Sequence, residues 1–137
     1  MRNDIGVAAA RALEPVLLVF SEVEMQALVA VWRFDVDGCF DRIVFEFASH
    51  GLTIAAEPGD DTVILSATPF ERKGGVDVSE SWQDLIGAVF WWGWIAVNQQ
   101  GYCDGVLLSF DGIDPQVLLN VIASSIVVRR IPTQRGR

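Results

Sequence analysis

The chain has 137 residues, is 51% hydrophobic, and carries a formal charge of −8 with a pI of about 4.4. That length suits a single domain spanning 1–137, and the apolar share fills a core and is too high for a disordered chain. So acidic a body repels phosphate backbones and excludes nucleic acid as an expected partner, and two cysteines, Cys39 and Cys103, suit free thiols in a reducing cytoplasm rather than a disulfide framework.

The opening, residues 3–13, is alanine-rich and reads as a short helix capped by Asn3 or Asp4 and ended by Pro15. Asp4 and Glu14-Pro15 interrupt any leader-like apolar run. Ser21-Glu22-Val23-Glu24 has the S-x-x-E form of a capping box, predicting one more helical turn before Met25. From there the pattern is β. Residues 27–34, 41–47, 52–56 and 62–67 are rich in Val, Ile, Phe and Trp, and Ile43, Phe45 and Phe47 alternate with Val44 and Glu46. Turn signals separate these runs at Asp37-Gly38, Ser49-His50-Gly51 and Glu57-Pro58-Gly59-Asp60-Asp61. A looser stretch, 69–81, centres on Lys73-Gly74-Gly75, and Ser81-Trp82-Gln83-Asp84 predicts one capped turn. Residues 85–98 read as a long apolar strand, followed by strands over 106–110 and within 116–131. The apolar run 85–97 is 13 residues, short of the roughly 18–20 a membrane-spanning helix needs, so no membrane is expected.

The expected fold is therefore mainly β, with one or two short N-terminal helical turns and an antiparallel meander forming a small barrel or strongly curved sheet. Its halves, about 25–68 and 85–131, resemble one another. Gly38-Cys39-Phe40-Asp41 with the following strand matches Gly101-Tyr102-Cys103-Asp104 at a constant offset of 63. The shared G-x-x-D gives Gly38, Asp41 and Gly101 structural turn roles and predicts similar roles for Asp41 and Asp104.

Two segments are candidate binding sites. In Phe90-Trp91-Trp92-Gly93-Trp94, an extended backbone puts Phe90, Trp92 and Trp94 on one face and Trp91 on the other. Such rings serve a core or a partner surface. The loop Asn98-Gln99-Gln100-Gly101-Tyr102-Cys103-Asp104 gathers amides, a phenol and a carboxylate, the groups that fix orientation in polar recognition. Its alternative is a turn whose side chains bond their own backbone, with Gly101 at positive φ.

Familiar chemistries are excluded. Asp35 to Asp41 resembles an EF-hand loop, but Phe40 stands where the sixth-position Gly is required and the flanks read as strands. The one histidine, His50, cannot build a His-based metal site within one chain, so no metal or cofactor is expected. No G-x-S-x-G, P-loop, G-x-G-x-x-G or C-x-x-C occurs, and no catalytic residues are assigned. Arg129, Arg130, Arg135 and Arg137 form a basic end, read as solvated, with residues 133–137 a mobile tail.

From Leu85 to Ile131, the aromatic strand, Asn98-x-Gln100-Gly101-Tyr102-x-Asp104, an apolar strand and Ala123-Ser124-Ser125-Ile126 together resemble an uncharacterised family of small bacterial proteins. The resemblance covers about a third of the chain and implies no activity. Small acidic proteins of this type suggest, by analogy, an immunity-like role or an accessory protein of a mobile gene cassette. Three functional readings stand. The first is a non-enzymatic protein-binding module, with another protein or a second copy as partner and a homodimer expected. The second is a small-molecule binder with an aromatic-lined pocket beside the 98–104 loop, and the third is a carboxylate acid–base hydrolase.

Overall fold

The computed structural model of the chain describes residues 14–132 and is mainly β, with two antiparallel sheets. The first contains β1 (Ala30–Val36), β2 (Cys39–Glu46), β3 (Gly51–Ala56), β4 (Val63–Thr68) and the two-residue β5 (Val76–Asp77), in the order β4-β3-β2-β1-β5. The second is β6 (Phe90–Val97), β7 (Cys103–Phe110), β8 (Val117–Ile122) and β9 (Ser125–Arg130), in sequence order. β1–β4 and β6–β9 are meanders built from hairpins, while β5 returns past the sheet to pair with β1. At the β1–β2 turn, Asp37 and Gly38 have φ of +52° and +81°, the pair of left-handed residues that a two-residue hairpin loop demands.

The sheets stack, with β9 against β2 and β3 and β7 against β4. Period-two alternation supplies the core: Ile43 and Phe45 from β2, Leu52 and Ile54 from β3, Val106 and Leu108 from β7, and Val117 and Leu119 from β8 are all buried. Phe90 sits at the centre, its ring 6.0 Å from Phe20, 6.0 Å from Phe47 and 5.7 Å from Phe110. No barrel closes. The sheets are instead joined by residues 25–29: Met25 N–H donates to the Phe90 carbonyl, Phe90 N–H to Gln26, and Val29 N–H to Glu46.

Several expected elements shift. Pro15 does not end a helix: residues 14–17 are helical and run through it. Ser21 and Glu22 close a 3₁₀ turn (Leu18–Glu22) instead of opening one, and Met25 at φ +68° breaks the path. The second 3₁₀ turn is Ser79–Trp82, two residues earlier than expected, because Asp77 Oδ1 accepts the Ser79 N–H at 2.9 Å. Residues 85–88 are turn rather than strand: Leu85 and Ala88 are apolar because they are buried, not because they are extended. Arg129 and Arg130 belong to β9, so half of the basic end is strand. The expected helix at 3–13 and tail at 133–137 lie outside the described residues.

Asp41 and Asp104 each occupy the extra position of a β-bulge: Phe34 and Asp35 pair with Arg42 and Phe40, while Ala96 and Val97 pair with Gly105 and Cys103. Their partners differ. Asp104 Oδ2 accepts Asn98 Nδ2 at 3.2 Å, whereas Asp41 Oδ1 is buried with no hydrogen-bond partner. The expected similarity of role thus extends to backbone position and not to bonding.

Candidate functional site

Each sheet has an outer face that does not enter the common core, and the chain treats the two faces differently. On the first sheet, Trp32 and Phe34 point outward, and the 69–75 segment folds over them as a strap. Phe70 packs on both rings, with centroids 5.9 Å from Trp32 and 6.3 Å from Phe34. Gly51 permits this: a Cβ there would lie 2.8 Å from both the Phe70 Cβ and a Val44 methyl. Glu46 locks the strap by accepting Trp32 Nε1 at 2.9 Å and Arg72 at 2.6 Å. The apolar face is sealed.

The second sheet's outer face is open. Strand register lines up Trp94, Leu107, Leu118 and Arg129 in one row across all four strands, and Ala96, Gly105, Asn120 and Val127 in the next. Trp92 stands beside them, 51% exposed, with Ile122 at the far end equally open. No strand or helical turn of the described residues makes a substantial packing contact across this face. Arg129 is the one charge in these rows, on a chain of net −8.

This corrects the expected facing of the aromatic strand. A bulge between Phe90 and Trp92 lets Phe90 turn into the core while Trp92 and Trp94 turn out. Ser109 Oγ accepts the Trp92 N–H at 3.1 Å within that bulge. Trp91, the extra residue, lines a cleft of about 210 Å³ with Trp92, Leu17 and Phe20. Gly93 faces inward, against the Phe20 ring.

The 98–104 loop sits at one end of the open face, and its polar groups are partly spent on itself. Asn98 Oδ1 accepts the N–H groups of Gln100 at 2.9 Å and Tyr102 at 3.3 Å. Gly101 has φ +87°, as the turn requires. Gln99, Gln100 and Tyr102 remain exposed, forming a polar rim to the apolar face. The structure therefore joins Trp92, Trp94 and the loop along one hairpin, turns Trp91 away from Trp94 and the loop into the cleft it shares with Trp92, and gives Asn98 and Asp104 a turn-bonding role. Leu107, Leu118 and Val127 complete the face but escape a period-two reading. Their signal is a run such as Val117-Leu118-Leu119, apolar at both parities, which marks a strand with two apolar faces.

Between the sheets a cleft of about 300 Å³ has Ile43, Val78, Trp82 and Val128 along it and Arg33 and Arg130 at its sides. Both guanidiniums are neutralised locally. Arg33 Nε lies 2.7 Å from Asp35, and Arg130 lies 2.5 Å from Asp84. The Arg33 guanidinium holds the Asp35 carboxyl below the ordinary carboxylate range, chiefly through this hydrogen bond. Among the described residues, no group of three or more His, Cys, Asp or Glu side chains is arranged to hold a metal ion. No helix among them is long and apolar enough to cross a membrane. Cys39 is exposed, while burial pushes the Cys103 thiol above its usual value.

The model of a family of unknown function, DUF6334, matches residues 15–135. The chain belongs to that family. The match spans nearly the whole chain, not merely the third that carries N-x-Q-G-Y-x-D, and membership in DUF6334 brings no activity with it. Neither a curated protein nor a solved structure matches.

Proposed function

We propose that this member of DUF6334 is a non-enzymatic binding module that pairs with a second copy of itself through the outer face of its second sheet. The observation that carries the reading is the contrast between the faces. The chain devotes a strap, two glycines' worth of clearance and an ion pair to sealing one, and leaves Trp92 exposed and Trp94, Leu107, Leu118 and Val127 partly exposed on the other.

Charge restricts where a second copy can dock. Two bodies of −8 repel, and they approach at least cost where no acid intervenes, which is along this face. A two-fold contact is self-complementary and buries the same patch twice. Four strands about 4.8 Å apart and six residues long at about 3.4 Å each give a face on the order of 400 Å², hence roughly 800 Å² for two copies. That lies below about 1,200 Å², in the range of weak, transient association. Burying the open part of Trp92, about 100 Å², contributes about 2.5 kcal/mol per copy.

Light scattering tests this. The wild type should run as a dimer at micromolar concentration, and Leu118→Glu and Trp92→Glu should run as monomers with unchanged circular dichroism. Val76→Glu, at an exposed site on the other sheet, should stay dimeric. A wild-type monomer overturns the reading. So does a monomer that dimerises only when residues 1–13 are removed, because the face would then belong to the chain's own start.

A further inference from the structure

Beneath the strap on the first sheet lies a cavity of about 240 Å³ that the self-pairing face does not involve. Arg42 from β2, Thr53 from β3, Thr68 from β4 and Lys73 from the strap all line it. None of these four side chains makes a hydrogen bond or ion pair to another described residue. Arg42 touches only the Phe34 ring, 4.3 Å from its centroid. Arg33, Arg72 and Arg130, by contrast, each hold a carboxylate. Two cations and two hydroxyls with no partner among the described residues therefore line one cavity, beside a single acid, Glu71.

We propose that this cavity binds a small phosphate-bearing ligand. Arg42, Thr53 and Thr68 come from three neighbouring strands of the sheet and Lys73 from the strap, so donors from both the sheet and the strap border the cavity. A phosphate near neutral pH carries between one and two negative charges, which two cations balance. Guanidinium and ammonium donors give it charge-assisted hydrogen bonds. The volume holds about eight water-sized groups at roughly 30 Å³ each, so phosphate with a short substituent fits and a polynucleotide does not. Phe34 and Phe70 supply an apolar wall for such a substituent. The inter-sheet cleft is larger, but each of its arginines is already neutralised, so it has no charge to offer an anion.

The test is a titration of isotope-labelled protein with inorganic phosphate, methyl phosphate and succinate, read by amide NMR against sodium chloride at equal ionic strength. Phosphate and methyl phosphate should shift the Thr53, Thr68, Phe70 and Lys73 amides with millimolar affinity. Arg42→Gln and Lys73→Gln should each weaken binding at least about fivefold, as expected for loss of a charge-assisted bond worth on the order of 1 kcal/mol. Arg130→Gln, outside the cavity, should leave it unchanged. Three results overturn the proposal: equal shifts with chloride, tighter binding of succinate, or unaltered binding by both cavity variants. The oligomeric state bears on none of them, so this proposal and the dimer fail separately.

Discussion

Replacing Gly93 with alanine puts one methyl group where the core has no room. Gly93 pairs with Leu108, and its missing side chain is where Phe20 rests. An added Cβ would come closer than 3.0 Å to three carbons of that ring. The ring cannot retreat freely, because Phe20 is only 7% exposed and packs 6.0 Å from Phe90. Overpacking of this kind costs about 1–3 kcal/mol, partly offset by the roughly 0.5 kcal/mol that alanine gains over glycine in a strand. A net loss of about 1.5 kcal/mol is expected, measured by urea unfolding with an unchanged m-value. The companion variant Phe20→Ala should cost about 3–5 kcal/mol by emptying the site. In its background those three ring carbons are gone, so Gly93→Ala should then cost nothing or gain about 0.5 kcal/mol, a coupling of about 2 kcal/mol. A single-variant loss under about 0.5 kcal/mol, or strictly additive losses, would refute the contact between the N-terminal turn and the aromatic strand.

The two bulge aspartates should part company: Asp104→Ala strands Asn98 Nδ2 and should cost about 1 kcal/mol, whereas Asp41→Ala removes an unpartnered buried oxygen and should be neutral or stabilising in denaturant melts. Acid should weaken the fold partly through Asp77, whose carboxyl is held below its ordinary value first by the Ser79 hydroxyl and then by its backbone N–H. A depressed folded pKa gives stability that is present above the unfolded value near 3.9 and lost as pH falls through the lower folded value. Asp77→Asn should accordingly be less stable at neutral pH and show a shallower loss below about pH 4, and identical pH profiles would contradict the contact. A thiol reagent at mildly alkaline pH should modify the two cysteines in two phases, Cys39 first and the half-buried, pKa-raised Cys103 later, as read by mass spectrometry of the labelled protein.

Local chemistry made much of the fold legible. Asp37-Gly38 marks its hairpin because only such residues take two successive left-handed conformations cheaply, and Ile43 and Phe45 announce a buried face by alternation. What stayed hidden depends on partners distant in sequence. The bulge that turns Phe90 inward and Trp92 outward arises from pairing with Ser109 and Phe110, and strict alternation along one strand cannot foresee it. Leu85 and Ala88 are apolar outside any strand because the core closes over them. The strap was invisible because Phe70 lies in a loop-like stretch, and the roles of Gly51 and Gly75 appear only once Phe70 and Phe34 are seen against them. The candidate site was half legible. Trp92, Trp94 and the loop stood out by composition, while Leu118 and Val127 needed the register of β7, β8 and β9 to join them.

Sedimentation velocity of the wild type and Leu118→Glu, run as a concentration series, tests the self-pairing face most directly. The wild type should pass from a monomer to a dimer boundary within the micromolar range, and Leu118→Glu should remain monomeric throughout. A wild type that stays monomeric at the highest concentration, or a Leu118→Glu variant that dimerises as the wild type does, would contradict the account.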